Sequence, residues 1–192
     1  MKNTGRKSDH KDGRLYSAIL SLFILTLVNG GFMHGQDRSW RAGNVVFRIT
    51  GGLGMSSPAA VSASTTLSFQ HANQLYMFRV IKRNELAPYP SLIEPLESGR
   101  EVSLLYGLAT RSSIWYASAA AGVGVLEGIR RGKSQGFLRY EKQSFATVGV
   151  PLDCQLFVNA FSFIGVGITG FANINPVKSY AGANLCLQIR RF

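Results

Sequence analysis

Gly165-Val166-Gly167-Ile168-Thr169-Gly170 matches G-x-G-x-x-G, a pattern that binds dinucleotides when it opens a helix whose N-terminus meets the pyrophosphate. Here the chain runs on through Phe171-Ala172-Asn173-Ile174 as a strand and turns at Pro176. The glycines therefore read as small residues relieving crowding, as do Gly51, Gly52, Gly54, Gly122 and Gly124. His71 is followed by Ala72 and Asn73, and no serine or acid stands at a spacing that would complete a nucleophile–base–acid set. It reads as a solvated residue beside a turn. The two cysteines, Cys154 and Cys186, lie in apolar contexts and are expected to be free, small apolar side chains. No His, Cys and Asp grouping has metal-ligand spacing. The residue types thus predict no catalytic site, no metal and no cofactor.

The elements around these residues carry a stronger signal. Period-two alternation recurs from residue 44 onward. In Val61–His71, Val61, Ala63, Thr65, Leu67 and Phe69 share one face, and serines, Thr66 and Gln70 share the other. Ala181, Ala183, Leu185, Leu187 and Ile189 likewise oppose Gly182, Asn184, Cys186, Gln188 and Arg190. Val148, Val150, Leu152, Cys154 and Leu156 oppose Gly149, Pro151, Asp153 and Gln155. The pattern predicts eight strands at about 44–54, 60–71, 74–83, 101–111, 114–126, 145–157, 162–173 and 179–190. Short turns at Ala72-Asn73, Ser112-Ser113 and Asn159-Ala160 alternate with longer connections at 55–59, 82–100, 127–144 and 174–178. Turns at one end and loops at the other describe an up-and-down barrel, with strands long enough to cross a bilayer at a tilt.

The chain is 46% hydrophobic with mean hydropathy +0.08, which excludes a bundle of membrane-spanning helices. One apolar run, Leu15 to Val28, follows Lys2, Arg6, Lys7, Lys11 and Arg14 and precedes small and polar residues. It is shorter than a spanning helix and reads as a signal peptide over residues 1–36, with cleavage expected near Gly35–Gln36, leaving 37–192 as the barrel domain; an uncleaved N-terminal anchor is the alternative that the long basic lead keeps open. The whole chain has 21 basic and 10 acidic residues, and the segment removed carries five and two of them, so the exported part keeps a net charge of +8. An exported basic chain points to an anionic lipid surface, not to nucleic acid.

The placement of polar residues decides which face is outside. A soluble lipocalin-like barrel would turn its oily face inward around a ligand and show charged residues to water. Here the polar face is Ser, Thr, Gly, Gln and Asn, residues suited to filling a narrow barrel. The few strand charges, Arg48, Arg79, Glu101, Asp153 and Arg190, share that face. Turned inward, they avoid hydrocarbon, where a Lys or Arg costs about 2–4 kcal/mol at the midplane. They are expected to form a salt-bridged lumen network that closes an eight-strand barrel, with Arg79 and Glu101 toward the long-loop end on neighbouring strands and Asp153 or another acceptor compensating Arg48 and Arg190 across it; the alternative is a narrow water-filled pore lined by these charges. Trp40, Phe69, Trp115, Phe157, Phe161 and Phe192 are expected to form an aromatic girdle at the turn end, which would be periplasmic. The segment 127–143 carries Arg130, Arg131, Lys133, Arg139 and Lys142 against Glu127 and Glu141, a basic loop expected on the extracellular side.

The signal segment, the alternating strands "SASTTLSFQH", "EVSLLYGLAT", "FATVGVPLDCQLF", "FIGVGITGFANIN" and "AGANLCLQIRRF", and the final Phe192 resemble the small outer-membrane β-barrel proteins of Gram-negative bacteria. The resemblance covers residues 37–192 and lies in pattern, not in an invariant motif. It implies an eight-stranded antiparallel transmembrane barrel in the outer membrane, monomeric, in contact with outer-membrane lipids and lipopolysaccharide. It also implies insertion by the barrel-assembly machinery, although Leu185, Leu187 and Ile189 are out of phase with Phe192, unlike the family pattern. The function implied is structural or surface-interacting, without enzymatic activity. The alternatives are a lipid-modifying outer-membrane enzyme, whose lipid-facing His-x-Ser pair finds no counterpart at His71, or the soluble periplasmic ligand-binding barrel.

Overall fold

The computed structural model describes residues 45–86, 95–136, 139–161 and 163–191. The signal segment, Trp40 and Phe192 lie outside them. Eight strands follow one another: β1 (Val45–Ser56), β2 (Ala60–His71), β3 (Gln74–Glu85), β4 (Ser98–Arg111), β5 (Trp115–Gly136), β6 (Arg139–Asn159), β7 (Ile164–Ile174) and β8 (Tyr180–Arg191). Each pairs antiparallel with the next, and β8 returns to β1, so the sheet closes on itself as a barrel. Closure leaves every strand of the wall paired on both sides, which a bilayer demands of any sheet that crosses it.

Alternation fixes which face looks where. Outward go Leu67, Leu104, Val123, Val150, Ile168 and Leu187, each 48–64% exposed. Inward go Thr50, Ser62, Thr66, Ser68, Ser103, Gln155, Thr169, Asn173, Asn184 and Gln188, all buried. A one-residue slip in any strand would exchange the two sets, so the apolar exterior pins the register.

Along the axis the interior is layered, and β3 shows the order in its inward residues Leu75, Met77, Arg79, Ile81 and Arg83. Toward the turns lies an apolar cluster of Leu75, Met77, Leu105, Ala109, Tyr116, Ala120, Phe157 and Cys186. Toward the loops a second cluster joins Ile81, Leu126, Phe171 and Tyr180. Arg79 sits between the two.

The turns are tight. Ala72 takes a left-handed backbone (φ 52°) between β2 and β3, and the Gln70 amide donates to its carbonyl at 2.7 Å. The G-x-G-x-x-G run lies inside β7, with no helix after it. Gly167 is required there by close approach: a Cβ would stand 2.1 Å from the Leu156 carbonyl oxygen, whereas at Gly170 the nearest atom is 4.0 Å away.

The segment expected as a basic loop is strand. β5 and β6 run for 22 and 21 residues, against 11 to 14 for the others. β5 pairs with β4 only as far as Ile129, and β6 meets β7 only from Val150. Beyond those points the two strands pair with each other alone, with register shifts between Arg131 and Gly136. Arg130, Arg131 and Lys133 therefore lie on β5, and Arg139 and Lys142 on β6. Charged residues read as a loop because they cannot face lipid; past the membrane they are free to continue a ladder.

Candidate functional site

β3 delivers Arg79 to the middle of the lumen, and β4 and β6 bring a carboxylate to each side of it. Arg79 Nη2 donates to Glu101 Oε1 at 2.7 Å, and Nη1 donates to Asp153 Oδ2 at 2.8 Å. Nη1 also reaches the Leu152 carbonyl at 3.0 Å. All three side chains are at most 1% exposed. Two carboxylates facing one guanidinium leave a surplus negative charge, which hydrogen bonds spread. Ser103 Oγ donates to Glu101 Oε1 at 2.8 Å, Asn173 Nδ2 donates to Oε2 at 2.7 Å, and the Tyr180 hydroxyl donates to Oε2. Charge-assisted bonds of this kind are among the stronger ones a protein makes.

A polar lattice continues around this centre. Ser62 Oγ donates to Asn184 Oδ1 and Asn184 Nδ2 to Ser64 Oγ, both at 2.6 Å. Nearer the loops, Arg83 Nε donates to Ser56 Oγ at 2.8 Å while its guanidinium lies 3.8 Å from the Tyr180 ring centroid.

Of the five expected lumen charges, three meet and two do not. Arg48 and Arg190 stand directly opposite each other on β1 and β8. Asp153 does not compensate them, since it is engaged by Arg79. Asn173, Tyr180 and Ser103, which complete the network, escaped sequence reasoning. Their signal was the inward parity, legible once the charges on it are treated as needing partners.

At the loop end, Glu85, Glu97, Arg131 and Lys178 form a second charged group. Arg131 Nη2 donates to Glu85 Oε2 at 2.5 Å, and Lys178 Nζ donates to Glu97. The Arg131 backbone N–H donates to Glu97 Oε1 at 3.3 Å, tying the projecting hairpin to the β3–β4 connection. Below them is a cavity of about 110 Å³ lined in part by Arg83, Glu97, Leu126 and Lys178. Burial pushes the Glu85 carboxyl up, but the Arg131 hydrogen bond and the Glu97 backbone N–H outweigh it and hold the group below the usual carboxylate range. Outward residues on this part of β3 are Lys82 and Asn84, both exposed and polar, so the group stands beyond the apolar belt.

The aromatic girdle is only partly the one expected. Phe157 does not belong to it: it is fully buried in the lumen, its ring centroid 6.2 Å from that of Tyr116. Its parity on β6 is that of Asp153 and Gln155, and nearness to the turn end does not override which way a strand residue points. Phe69 and Trp115 face outward, and Phe161 is 66% exposed in the β6–β7 turn. Around Phe69 a row forms that sequence reasoning did not assemble: Phe47, Phe69, Tyr76 and Tyr106 are register partners on β1 to β4. Their successive ring centroids lie 5.3, 6.0 and 5.2 Å apart.

His71 ends β2 and is exposed. Cys154 faces outward and Cys186 inward, and both are free. Among the described residues, no three His, Cys, Asp or Glu side chains are placed to hold a metal.

No protein-family model matches the sequence, and no curated protein does. Solved structures do. The N-terminal barrel domain of Pseudomonas aeruginosa OprF matches at TM-score 0.53 and 9% identity, covering 77% of this chain and 96% of that one. Ail, the attachment invasion locus protein of Yersinia pestis, solved with the heparin analogue sucrose octasulfate, matches at TM-score 0.54 and 9% identity over 77% of this chain and 98% of that one. Neisserial surface protein A matches at TM-score 0.50 and 9% identity over 76% and 94%. The chain has the fold of the eight-stranded outer-membrane β-barrels, with an apolar exterior suited to hydrocarbon and polar groups within.

Proposed function

We propose that this protein is a non-enzymatic, monomeric integral barrel of the outer membrane with a structural or surface-interaction role, its lumen closed to flow by its own side chains. The observation that carries this reading is the pairing of Arg79 with Glu101 and Asp153 at mid-lumen, between two apolar clusters. A pore needs a continuous wet path, and an eight-strand barrel has an interior that side chains just fill. The absence of enzymatic activity is supported by His71, the one histidine among the described residues, which stands exposed at a strand end next to Ala72 and Asn73.

The surface role belongs to the β5–β6 hairpin. Arg130, Arg131, Lys133, Arg139 and Lys142 give it a basic character against Glu127 and Glu141. At the extracellular face such charge complements the phosphates of lipopolysaccharide. On this reading the barrel-assembly machinery inserts the chain with its turns toward the periplasm. The test is carbonate extraction of membranes combined with planar-bilayer recording. The protein stays with the membrane, migrates faster on gels before boiling than after, and gives no discrete conductance steps. Extraction into the carbonate supernatant overturns the membrane reading, and stepwise conductance overturns the closed lumen. A change in lipid A mass on deletion of the gene would instead establish an enzyme.

A further inference from the structure

Across β3 to β6 the outward residues change character in one step. Val80, Val102, Val125 and Val148 are successive register partners and form the last apolar row of this part of the wall toward the loops. Two residues further along each strand stand Lys82, Arg100, Glu127 and Ala146, again register partners and all exposed. Asn84, Ser98, Ile129 and Ser144 make the row after that. The charged row therefore lies about 6–7 Å along the strands beyond the valines, where hydrocarbon gives way to headgroups. Followed across to β2 and β1, the same row becomes Ala63 and Leu53, so the charge is confined to one side of the barrel.

Lys82 and Arg100 are like charges directly opposite on neighbouring strands, an arrangement that destabilises a sheet. Among the described residues no hydrogen bond or ion pair engages Lys82. Arg100 meets Glu127 loosely, at 3.9 Å with both side chains more than half exposed, a pair of the kind that contributes little. Both cations line an open groove of about 630 Å³ on the outer wall, with Asn84, Ser98 and Ser144 along it. That size is in the range of small-molecule sites.

We propose that this groove seats one phosphorylated glycolipid of the outer leaflet, lipid A in chemistry. Lys82 and Arg100 clamp a phosphate, the amide and hydroxyls of the next row meet its sugar, and its acyl chains lie along the valines below. An ammonium and a guanidinium side by side suit a phosphate, the guanidinium through two parallel donors. The anion also removes the repulsion between the two cations. A headgroup without a sugar would leave Asn84, Ser98 and Ser144 unused. This assignment rests on the reading of the loop end as extracellular, and it places the lipid on the wall, not on the projecting hairpin.

The test uses the full chain in phosphatidylcholine vesicles, with bisphosphorylated lipid A or phosphatidylglycerol added at equal charge. Lipid A raises the melting temperature of the wild type, as a ligand of the native state does, and phosphatidylglycerol raises it less. The double variant Lys82→Gln, Arg100→Gln binds lipid A at least tenfold more weakly. In pure phosphatidylcholine it melts no lower than the wild type, which separates lost binding from damaged folding. The hairpin variant Arg130→Gln, Lys142→Gln keeps wild-type affinity. Wild-type affinity in the Lys82 and Arg100 variant, no response of the wild type to lipid A, or an equal response to phosphatidylglycerol overturns the proposal. Binding lost in the hairpin variant alone also overturns it while leaving the surface role of the hairpin standing. Extraction of the wild type by carbonate removes the outer-membrane reading itself.

Discussion

Arg79 lies inside a barrel whose wall faces hydrocarbon, so its charge has no water to fall back on. Its stability contribution is best seen by removal. Arg79→Gln leaves Glu101 and Asp153 buried without their cation, and breaking a buried pair in this way costs about 3–5 kcal/mol. Urea unfolding of the barrel in vesicles is expected to show that loss. Glu101→Gln, which keeps one of the two acceptor oxygens used by Ser103 and Asn173 and relieves the charge surplus, is expected to cost less. Equal losses in the two variants would mean that hydrogen bonding, not charge, dominates the network. The inward charges were legible in the sequence because alternation alone assigns them to one face. Neighbouring strands brought Arg79 and Glu101 toward one end, but the Asp153 partner was not legible: it lies 74 positions from Arg79, and only closure of the sheet decides which distant inward residues meet. Phe157 failed for the converse reason. Position along the axis was used where parity should have ruled.

At the scale of elements, alternation located all eight strands, six of them within three residues at both ends, because inside a membrane each side chain must match lipid or lumen. Outside it that rule lapses. The extension of β5 and β6 beyond Ile129 and before Val150 pairs charged and polar residues such as Arg131 with Lys142, and no periodicity marks it. This hairpin is held to the barrel mouth by Glu85 and Glu97. The depressed Glu85 carboxyl makes that tether pH-dependent, and the sign follows from linkage. A carboxyl whose folded value is lowered stabilises fully above its unfolded value, and the contribution disappears as pH falls through the folded value. Amide hydrogen exchange in 139–145 is therefore expected to quicken on acidification through the carboxylate range, with wall strands unaffected. Glu85→Gln is expected to give the acid behaviour at neutral pH. An acid step that persists undiminished in Glu85→Gln would assign the tether to Glu97, which accepts from the Arg131 backbone N–H.

For the whole molecule, the apolar exterior is the feature that selects the solvent. Exposed apolar side chains on every strand form a continuous surface far larger than a water-soluble monomer carries. Leu104, 62% exposed on β4, lies within that belt. Leu104→Arg is expected to destabilise the barrel in phospholipid vesicles by about 2–4 kcal/mol, the cost of a charge near the bilayer midplane. The same change in a barrel whose exterior met water would cost almost nothing, so denaturant titration in vesicles distinguishes the two.

The seam between β1 and β8 sets a condition on how the molecule is made. Phe47 pairs with Arg191, the first strand with the last. Until the final strand arrives, β1 presents an open row of amides and carbonyls that any other extended segment could take up. That contact is also the most distant in sequence, and long-range pairings slow folding. A ribosome-released chain therefore has reason to be kept unfolded and escorted until all eight strands are available, and truncation anywhere before β8 should yield aggregates in place of a smaller tube.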